Sequence, residues 1–288
     1  MDKKISEQYN PLVSIIVPIY NSYINLNDFL ESFLFSSYKK FEVIVNNDSR
    51  STDEPERLCK QYIEKGLNIK YIEKNQSMAQ GRNRGADFSS GEILLHLDSD
   101  MKASDKLLEE CVDLINKGFD ALVIPEESFG TTFWAKCKWL EKKCYRGVEQ
   151  IESVRCLRAD IYREIGGHNE EMIFSEDKDL DIRVKDAGYK IGRTKNLLWH
   201  NEGKLHLLKI IKKKLNYAHT ANIFAEKHSQ EFAWQINILN RYLIYFRNIK
   251  YLFSNPAVYI GMIFMKTFEF GFGGIGYFLG KIKKYEKK

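Results

Sequence analysis

The first 126 residues alternate between short apolar runs and segments that carry apolar residues at helical spacing. The apolar runs predict buried strands at 12–20, 41–48, 68–74, 91–100 and 120–126. The segments between them predict helices at 25–37, 53–66, 78–91 and 104–118. Strands that alternate with helices are typical of an α/β fold with a mostly parallel central sheet flanked by helices.

Polar side chains stand where two of these strands end. Asn47 and Asp48 close the second strand, and the motif HLDSD places Asp98 and Asp100 at the end of the fourth. Ligands of parallel sheets bind beyond the carboxyl ends of the strands, and adjacent carboxylates need a cation or hydrogen-bond donors. Mg²⁺ and Mn²⁺ prefer carboxylate and phosphate oxygens, so HLDSD predicts a metal site. The alternative is that one aspartate caps the next helix and the other is solvated.

A second acidic cluster occurs in FSEDKDLDIRVKDAGYKIG, residues 174–192. A general base requires a carboxylate near an acceptor hydroxyl, and Asp177 is the candidate. The alternative is that these acids only stabilise a helix N-terminus. His200 follows an apolar run at another strand end, where a neutral imidazole can complete a metal site or be a structural histidine.

Composition narrows the class of protein. The formal net charge of +5 is mild, and the strand ends are acidic, so we expect no nucleic-acid partner. Basic residues concentrate at 203–214 and 280–288, a pattern that suits anionic phospholipid surfaces. The five cysteines show no CxxC pair, and the polar first residues do not resemble a signal peptide. We therefore expect free thiols and a cytoplasmic location.

Several segments in this order resemble the motif series of the family-2 glycosyltransferases. They are SIIVPIYN (14–21), EVIVNND (42–48), GRNRG (81–85), GEILLHLDSD (91–100), GGHNEE (166–171), SEDKDLDIRVKDAGYKI (175–191) and the later His200. The resemblance covers roughly residues 12–202. It implies a GT-A fold and transfer of a sugar from a nucleotide-sugar with inversion at the anomeric carbon.

The resemblance implies a role for each matched residue in nucleotide binding. Pro18 and Tyr20 would border the base, and Asp48 would contact the base or ribose. Arg82 would help to hold the nucleotide, and Asp98 would lie near the ribose. The expected donor is a UDP-sugar, with a GDP-sugar as the alternative.

The same resemblance assigns the metal and the chemistry. Asp100 would ligate a divalent cation, Mg²⁺ or Mn²⁺, on the diphosphate, and His200 would be a further metal or phosphate contact. Asp177 would be the catalytic base, with Glu176 beside it. An in-line displacement needs both a base and charge neutralisation on the leaving group, which two separate acidic clusters could supply.

Two departures from the family pattern matter. The run NNDSRSTD has Asn47 in the first acidic position and Arg50 as an apparent insertion, so the base contact would differ from the family pattern. The Gln-x-x-Arg-Trp motif of the processive members is absent from EFAWQINILNRY, residues 231–242. We therefore expect one sugar to be added per acceptor.

The region 123–147 lies between the metal-site strand and the base. Trp134 and Trp139 could stack on sugar rings and Glu126 could bind hydroxyls, or the segment could be a packed amphipathic helix. The tail contains basic helices at 205–228 and an aromatic, glycine-rich segment at 255–280. We expect the tail to lie on the inner face of an anionic membrane and the acceptor to be a lipid-linked or cell-surface glycan. Core packing or an oligomer interface is the alternative.

These expectations divide the chain into a polar lead (1–11), a GT-A catalytic domain (12–203) and a helical extension (204–288). Within the domain, 12–126 would bind the nucleotide and 127–203 the acceptor. A sugar nucleotidyltransferase is a rival, but it would show a glycine-rich phosphate loop and a lysine, which NSYINLND (21–28) lacks. A non-catalytic nucleotide-sugar-binding membrane protein would be favoured by loss of the acidic clusters, and both are intact.

Overall fold

The computed structural model describes residues 10–75 and 77–286. The predicted polar lead lies outside the described residues except for Asn10 and Pro11, as do the last two lysines of the basic C-terminal run.

The described residues form strands and helices in alternation as far as β4. The strands are β1 (Val13–Ile19), β2 (Phe41–Asp48), β3 (Ile69–Asn75), β4 (Ile93–His96), β5 (Met101–Ala103), β6 (Ala121–Val123), β7 (Glu126–Phe129), β8 (Val154–Arg158), β9 (Ile191–Arg193) and β10 (Leu198–Asn201). The helices are α1 (Tyr23–Leu34), α2 (Pro55–Glu64), α3 (Met78–Asp87), α4 (Leu107–Asn116), α5 (Phe133–Tyr145), α6 (Ala159–Glu164), α7 (Glu176–Asp186), α8 (Leu207–His219), α9 (Asn222–Lys227), α10 (Ser229–Ile236), α11 (Ile238–Arg247), α12 (Lys250–Ser254) and α13 (Pro256–Glu286).

The main sheet has the strand order β3-β2-β1-β4-β8-β6-β9. The strands β3, β2, β1 and β4 pair in parallel, as do β6 and β9. The strand β8 runs antiparallel to both of its neighbours. The expected mostly parallel α/β sheet is confirmed, and β8 departs from it because apolar periodicity does not specify the direction of a strand.

Two predicted strands end differently in the structure. The strand predicted at 91–100 stops at His96, so Asp98 to Asp100 lie in the turn that precedes β5. The strand predicted at 120–126 divides into β6 and β7, with Pro125 between them. Proline has no N–H to donate to a ladder, which explains the break.

A small second sheet has the order β5-β10-β7. The strand β10 pairs antiparallel with β5, which sets His200 opposite Met101. It also pairs in parallel with β7, which sets Leu198 opposite Glu126. This sheet joins β5 of the predicted nucleotide-binding part to β7 and β10, and thereby brings His200 close to both Asp100 and Glu126.

The main sheet is covered on both faces, as continuous apolar strands require. Side chains such as Val13, Ile15 and Val17 pack in one core with the buried faces of α1, α2 and α4, while Ile16 faces a second core on the other side. Helix α3 approaches β1 closely at Gly85, where an added Cβ would lie 2.4 Å from Ile16 Cγ2. A glycine in this helix is therefore required by packing although it weakens the helix.

The helix α13 packs lengthwise on α5 and α8. Its residues 256–282 are long and apolar enough to cross a membrane by length and composition, with 39% of the most apolar stretch buried inside the protein. Lys266 and Glu269 lie on its buried face, and Lys266 Nζ donates to Glu141 Oε1 of α5 at 2.7 Å. In this structure α13 is therefore part of the protein core on one face and exposes apolar side chains on the other.

Candidate active site

The loops after β1 and β2 meet at the carboxyl edge of the main sheet. Pro18 lies within β1, and Tyr20 just beyond it is 55% exposed. Asn21 adopts a left-handed conformation with φ of 47°, and its Oδ1 accepts a hydrogen bond from Thr52 N at 2.8 Å. Asparagine tolerates this conformation better than most residues. The two loops thus form one connected edge beside Tyr20.

Asp48 lies on this edge and is engaged by Arg50, the residue that interrupts the family pattern. Arg50 Nε donates to Asp48 Oδ1 at 2.8 Å, and its Nη2 donates to Oδ2. The hydrogen bonds from Arg50 lower the pKa of Asp48, although burial opposes the shift. The guanidinium also lies 6.0 Å from the centroid of the Tyr20 ring. Arg50 therefore neutralises the acid at this edge.

Arg82 links the two acidic clusters. Its buried guanidinium donates from Nη2 to Asp98 Oδ1 and from Nη1 to Glu176 Oε1, both at 2.8 Å. Burial raises the pKa of Glu176, with Arg82 opposing. Burial also opposes ionisation of Asp98, but Arg82 and Arg155 outweigh it and lower the pKa of Asp98. The structure thus brings Arg82, Asp98 and Glu176 together, and the Arg82 guanidinium binds both carboxyl groups.

Asp100 and His200 lie together at the edge between the two sheets. His200 Nε2 is 3.2 Å from Asp100 Oδ2, and His200 Nδ1 is 3.4 Å from Glu126 Oε2. Burial lowers the pKa of His200, but the nearby carboxylates of Asp100 and Glu126 outweigh it and raise the pKa to about 9. Asp100 Oδ1 is buried and makes no hydrogen bond within the described part of the chain.

Asp100 and His200 fit a divalent cation that takes most of its ligands from phosphate and water. Within residues 10–75 and 77–286, no group of three or more His, Cys, Asp or Glu side chains is arranged to hold a metal ion. The unpartnered oxygen of Asp100 and the adjacent imidazole of His200 offer one or two ligands of the kind that Mg²⁺ or Mn²⁺ accepts alongside phosphate and water. His200 would ligate only after losing a proton.

Asp177 lines a cavity of about 230 Å³ next to this edge. Glu126, Lys142 and Arg155 line the same cavity. Because neighbouring residues of a helix point in different directions, Glu176 turns to Arg82 while Asp177 faces the cavity. The turn before α7 is fixed by Ser175 in a left-handed conformation, with φ of 57°. The two acids of the pair therefore have different surroundings.

The aromatic side chains predicted to stack on a sugar lie elsewhere. Trp139 Nε1 donates to Glu127 Oε1 at 2.9 Å. Trp134 stacks against Phe264 of α13, with ring centroids 6.3 Å apart. Both indoles belong to the packing between α5 and the C-terminal helices, the alternative that the sequence left open. Glu126 does reach the cavity, but Arg155 and Lys142 already engage its carboxylate.

Sequence reasoning missed two cations of the site. Arg155 of β8 contacts Glu126 and lies 3.8 Å from Asp98 Oδ2. Lys178 is buried and donates to the backbone oxygens of Glu149 and Glu152 at 2.7 and 2.9 Å, which holds the loop that borders the cavity. A charged residue inside an apolar strand, as in VRCLR, is the signal that could have identified Arg155.

An α/β sheet with two acidic clusters at its carboxyl edge defines a candidate nucleotide-sugar site, and the comparisons with known proteins agree. The family model for glycosyl transferase family 2 matches residues 14–158. The chain belongs to glycosyl transferase family 2.

Curated relatives carry glycosyltransferase names. "Glycosyltransferase GlyA" of Streptococcus pneumoniae is 37% identical over 89 residues, which is 31% of this chain and 13% of the relative. "Glycosyltransferase AglE" of Haloferax volcanii is 27% identical over 195 residues, which is 63% of this chain and 64% of the relative. The first relatives are matched over only 13% to 43% of their own lengths, so their whole activities do not transfer to this chain.

Solved structures confirm the GT-A fold. The mannosyltransferase PcManGT from Pyrobaculum calidifontis, in complex with GDP-Man and Mn²⁺, has a TM-score of 0.66 at 15% identity and covers 94% of this chain and 88% of its own. S. aureus TarS in complex with UDP-GlcNAc has a TM-score of 0.55 at 17% identity and covers 96% of this chain and 91% of its own. At these identities the likeness shows the fold alone.

Proposed function

We propose that this glycosyltransferase moves one sugar from a nucleotide diphosphate-sugar to an acceptor hydroxyl, with inversion at the anomeric carbon. One observation carries the proposal. Asp177 lines a cavity whose wall includes Glu126, and Glu126 Oε2 lies 3.4 Å from Nδ1 of His200, the neighbour of Asp100. Glu126 therefore links the cavity of the candidate base to the candidate metal edge at Asp100 and His200.

The residues around the cavity support a division of labour. Asp177 would take the proton of the acceptor hydroxyl as the hydroxyl attacks from the face opposite the leaving diphosphate. Arg82, held between Asp98 and Glu176, would keep the nucleotide edge rigid. Lys142 and Arg155 line the cavity and would orient the donor or acceptor. A divalent cation at Asp100 and His200 would stabilise the negative charge of the diphosphate when bound.

We propose a UDP-sugar as the donor and a GDP-sugar as the second candidate. The related folds have been solved with UDP-GlcNAc and with GDP-Man, so the fold accommodates both nucleotides. The edge formed by Tyr20, Asp48 and Arg50 would contact the base, and Arg50 is one of the residues by which this chain departs from the family pattern.

The acceptor that we propose is a lipid-linked or cell-surface glycan precursor, reached from the cytoplasmic face of an anionic membrane. Exposed apolar side chains on the last helices support a peripheral membrane contact, among them Leu239, Phe253 and Ile260. Lys204, Lys209 and Lys212 are exposed at or near α8 and could meet anionic head groups. The buried face of α13 supports a helix that lies on the membrane and does not cross it.

Calorimetry with UDP tests the nucleotide and metal assignment. We expect UDP to bind with Mn²⁺, to bind weakly after EDTA, and to lose the metal-dependent part in Asp100→Asn. Asp105→Asn is the matched control because Asp105 is exposed nearby. The proposal would be contradicted if the affinities for UDP and for GDP were unchanged both by EDTA and by Asp100→Asn.

Turnover tests the base. We expect Asp177→Asn to bind UDP normally but to release UDP from UDP-sugars about 10²- to 10⁴-fold more slowly when a membrane lipid extract supplies the acceptor. Asp186→Asn, at the exposed end of the same helix, should leave turnover unchanged. Normal turnover of Asp177→Asn would exclude Asp177 as the base.

A further inference from the structure

A second cavity adjoins the one that Asp177 lines. It has a volume of about 410 Å³ and is bordered by α5, α8, α10, α11 and α13. The two cavities share Glu141, Tyr145 and Ile151 as lining residues. An elongated molecule in the second cavity would therefore have one end near the wall of the candidate active site.

The second cavity carries excess positive charge. Among the described residues, the charged side chains that line it are Lys138, Lys214, Arg241, Lys266, Glu141 and Glu269. Lys138 and Lys266 are each 2.7 Å from an oxygen of Glu141, and both also contact Glu269. Lys214 and Arg241 form no ion pair within the described part of the chain. These two cations thus lack a direct carboxylate partner, although Glu269 and Glu141 act on Lys214 from a longer distance.

Both of these cations are held in place by contacts that do not neutralise them. Arg241 Nε donates to Gln235 O at 3.2 Å, and its guanidinium lies 5.2 Å from the centroid of the Tyr145 ring. Lys214 Nζ lies 5.9 Å from the centroid of the Phe174 ring. Burial and the nearby Lys266 lower the pKa of Lys214 to about 8. An ammonium group in such surroundings is unfavourable until an anion compensates it.

The rest of the cavity wall is largely apolar and aromatic. Phe174, Phe232 and Tyr277 line it, together with Gly273 and Gly274 of α13. At Gly273 an added Cβ would lie 3.6 Å from Lys214 Cγ, so the absence of a side chain here leaves space beside Lys214. The cavity therefore combines a site for an anion with room for an apolar chain.

We propose that this second cavity binds an anionic amphiphile, namely a phosphate or diphosphate ester of a long apolar chain. Lys214 and Arg241 bind the phosphate, and the chain lies against the aromatic wall formed by Phe174, Phe232 and Tyr277. The identity of this amphiphile as the lipid part of the acceptor rests on the proposed function. In that arrangement the shared wall at Tyr145 directs the polar end of the lipid toward Asp177.

Three probes separate the lipid from a free anion and from a general detergent site. Dodecyl phosphate, inorganic phosphate and dodecyl maltoside are titrated into the full-length protein at pH 7 below their micellar concentrations. We expect dodecyl phosphate to bind at least about tenfold more tightly than either of the others, because only it satisfies both parts of the cavity. Equal binding of inorganic phosphate would reduce the cavity to a small-anion site and overturn the proposal.

Paired variants locate the binding. Lys214→Gln removes the charge, and Gly273→Leu places a side chain beside Lys214 in the cavity; each should weaken the binding of dodecyl phosphate by about tenfold or more. The controls are Lys212→Gln, an exposed lysine of the same helix, and Gly271→Leu, where the residue is exposed and an added Cβ meets no atom within 4 Å. Binding that is absent in the wild type, or that responds equally to variants and controls, would overturn the proposal.

Nucleotide binding by the same four variants distinguishes failure of the amphiphile site from failure of the proposed function. Binding of UDP with Mn²⁺ should be unchanged in all four variants, because none of the substituted residues lies at the nucleotide edge. If the wild type bound dodecyl phosphate but neither UDP nor GDP, the glycosyl-transfer proposal would fail while the amphiphile site stood. The reverse result would remove only the amphiphile site.

Discussion

Replacement of Lys266 by methionine tests how α13 is held. Lys266 Nζ donates to Glu141 Oε1 at 2.7 Å and also contacts Glu269, and the side chains of these three residues are 6%, 4% and 4% exposed. Methionine fills a similar volume without the charge. The substitution leaves two buried carboxylates with Lys138, which is 2.7 Å from Glu141 Oε2 and 3.5 Å from Glu269 Oε1.

The expected cost follows from this geometry. Removal of one partner from a buried ion pair destabilises proteins by about 3–5 kcal/mol, because the remaining charge is left uncompensated. Lys138 retains part of the compensation, so we expect Lys266→Met to lower the free energy of unfolding by about 3 kcal/mol. The double substitution Lys266→Met with Glu269→Met should cost less than the single one, because it removes one of the stranded carboxylates.

Urea unfolding followed by tryptophan fluorescence, without detergent, measures these differences. Lys281→Met is the control, since Lys281 is exposed on the same helix and should change stability by less than about 0.5 kcal/mol. A helix that crossed a membrane would respond in the opposite direction, because loss of a central lysine favours insertion by about 2.5–3.5 kcal/mol. A loss below about 1 kcal/mol for Lys266→Met would refute the packed arrangement of α13.

Two further predictions concern the same end of the molecule. The double variant Leu239→Asp, Phe253→Asp should float less with phosphatidylglycerol vesicles than the full-length wild type. Phe35→Asp, an exposed control at the C-terminal end of α1, should float as the wild type does. Equal flotation of the wild type, the double variant and the control would exclude membrane contact through α11 and α12. Lys214→Met should stabilise the protein at pH 7 by about 1–3 kcal/mol, since the lowered pKa of Lys214 means that the folded state disfavours its charge. The cost of charging Lys214 in the folded state is complete below about pH 8 and falls as the pH rises toward 10.5, the pKa of the unfolded state. The extra stability of Lys214→Met in urea unfolding should therefore narrow between these two pH values. A difference that stays constant over this range would contradict the lowered pKa of Lys214.

The elements of the sheet were predictable where a long apolar run carried the signal. The run at 41–48 coincides with β2, and the run at 12–20 contains β1. The strand predicted at 91–100 extends past the real end of β4, because Leu97 prolongs the apolar run and no glycine or proline marks the turn that follows. The antiparallel direction of β8 was not predictable, since it depends on where the chain re-enters the sheet.

The site was predictable in its residue types but not in its pairings. The spacing of HLDSD and SEDKD indicated two acidic clusters, and Arg82 joins Asp98 of the first to Glu176 of the second. The stacking role expected of Trp134 and Trp139 finds no support, because an amphipathic helix presents the same aromatic pattern when it packs on a neighbouring helix. Arg155 was missed because its partners are distant in the chain.

By itself the sequence determined the family, the α/β order of the elements and the placement of carboxylates where strands end. These properties are local, because they depend on side-chain periodicity and on motifs of a few residues. Only the tertiary structure decided which acid meets which partner. Glu176 turns to Arg82, whereas Asp177 faces the cavity, although the two are neighbours in the chain. Electrostatic pairing depends on distances of a few ångströms between residues that lie far apart in the sequence, and only packing sets those distances.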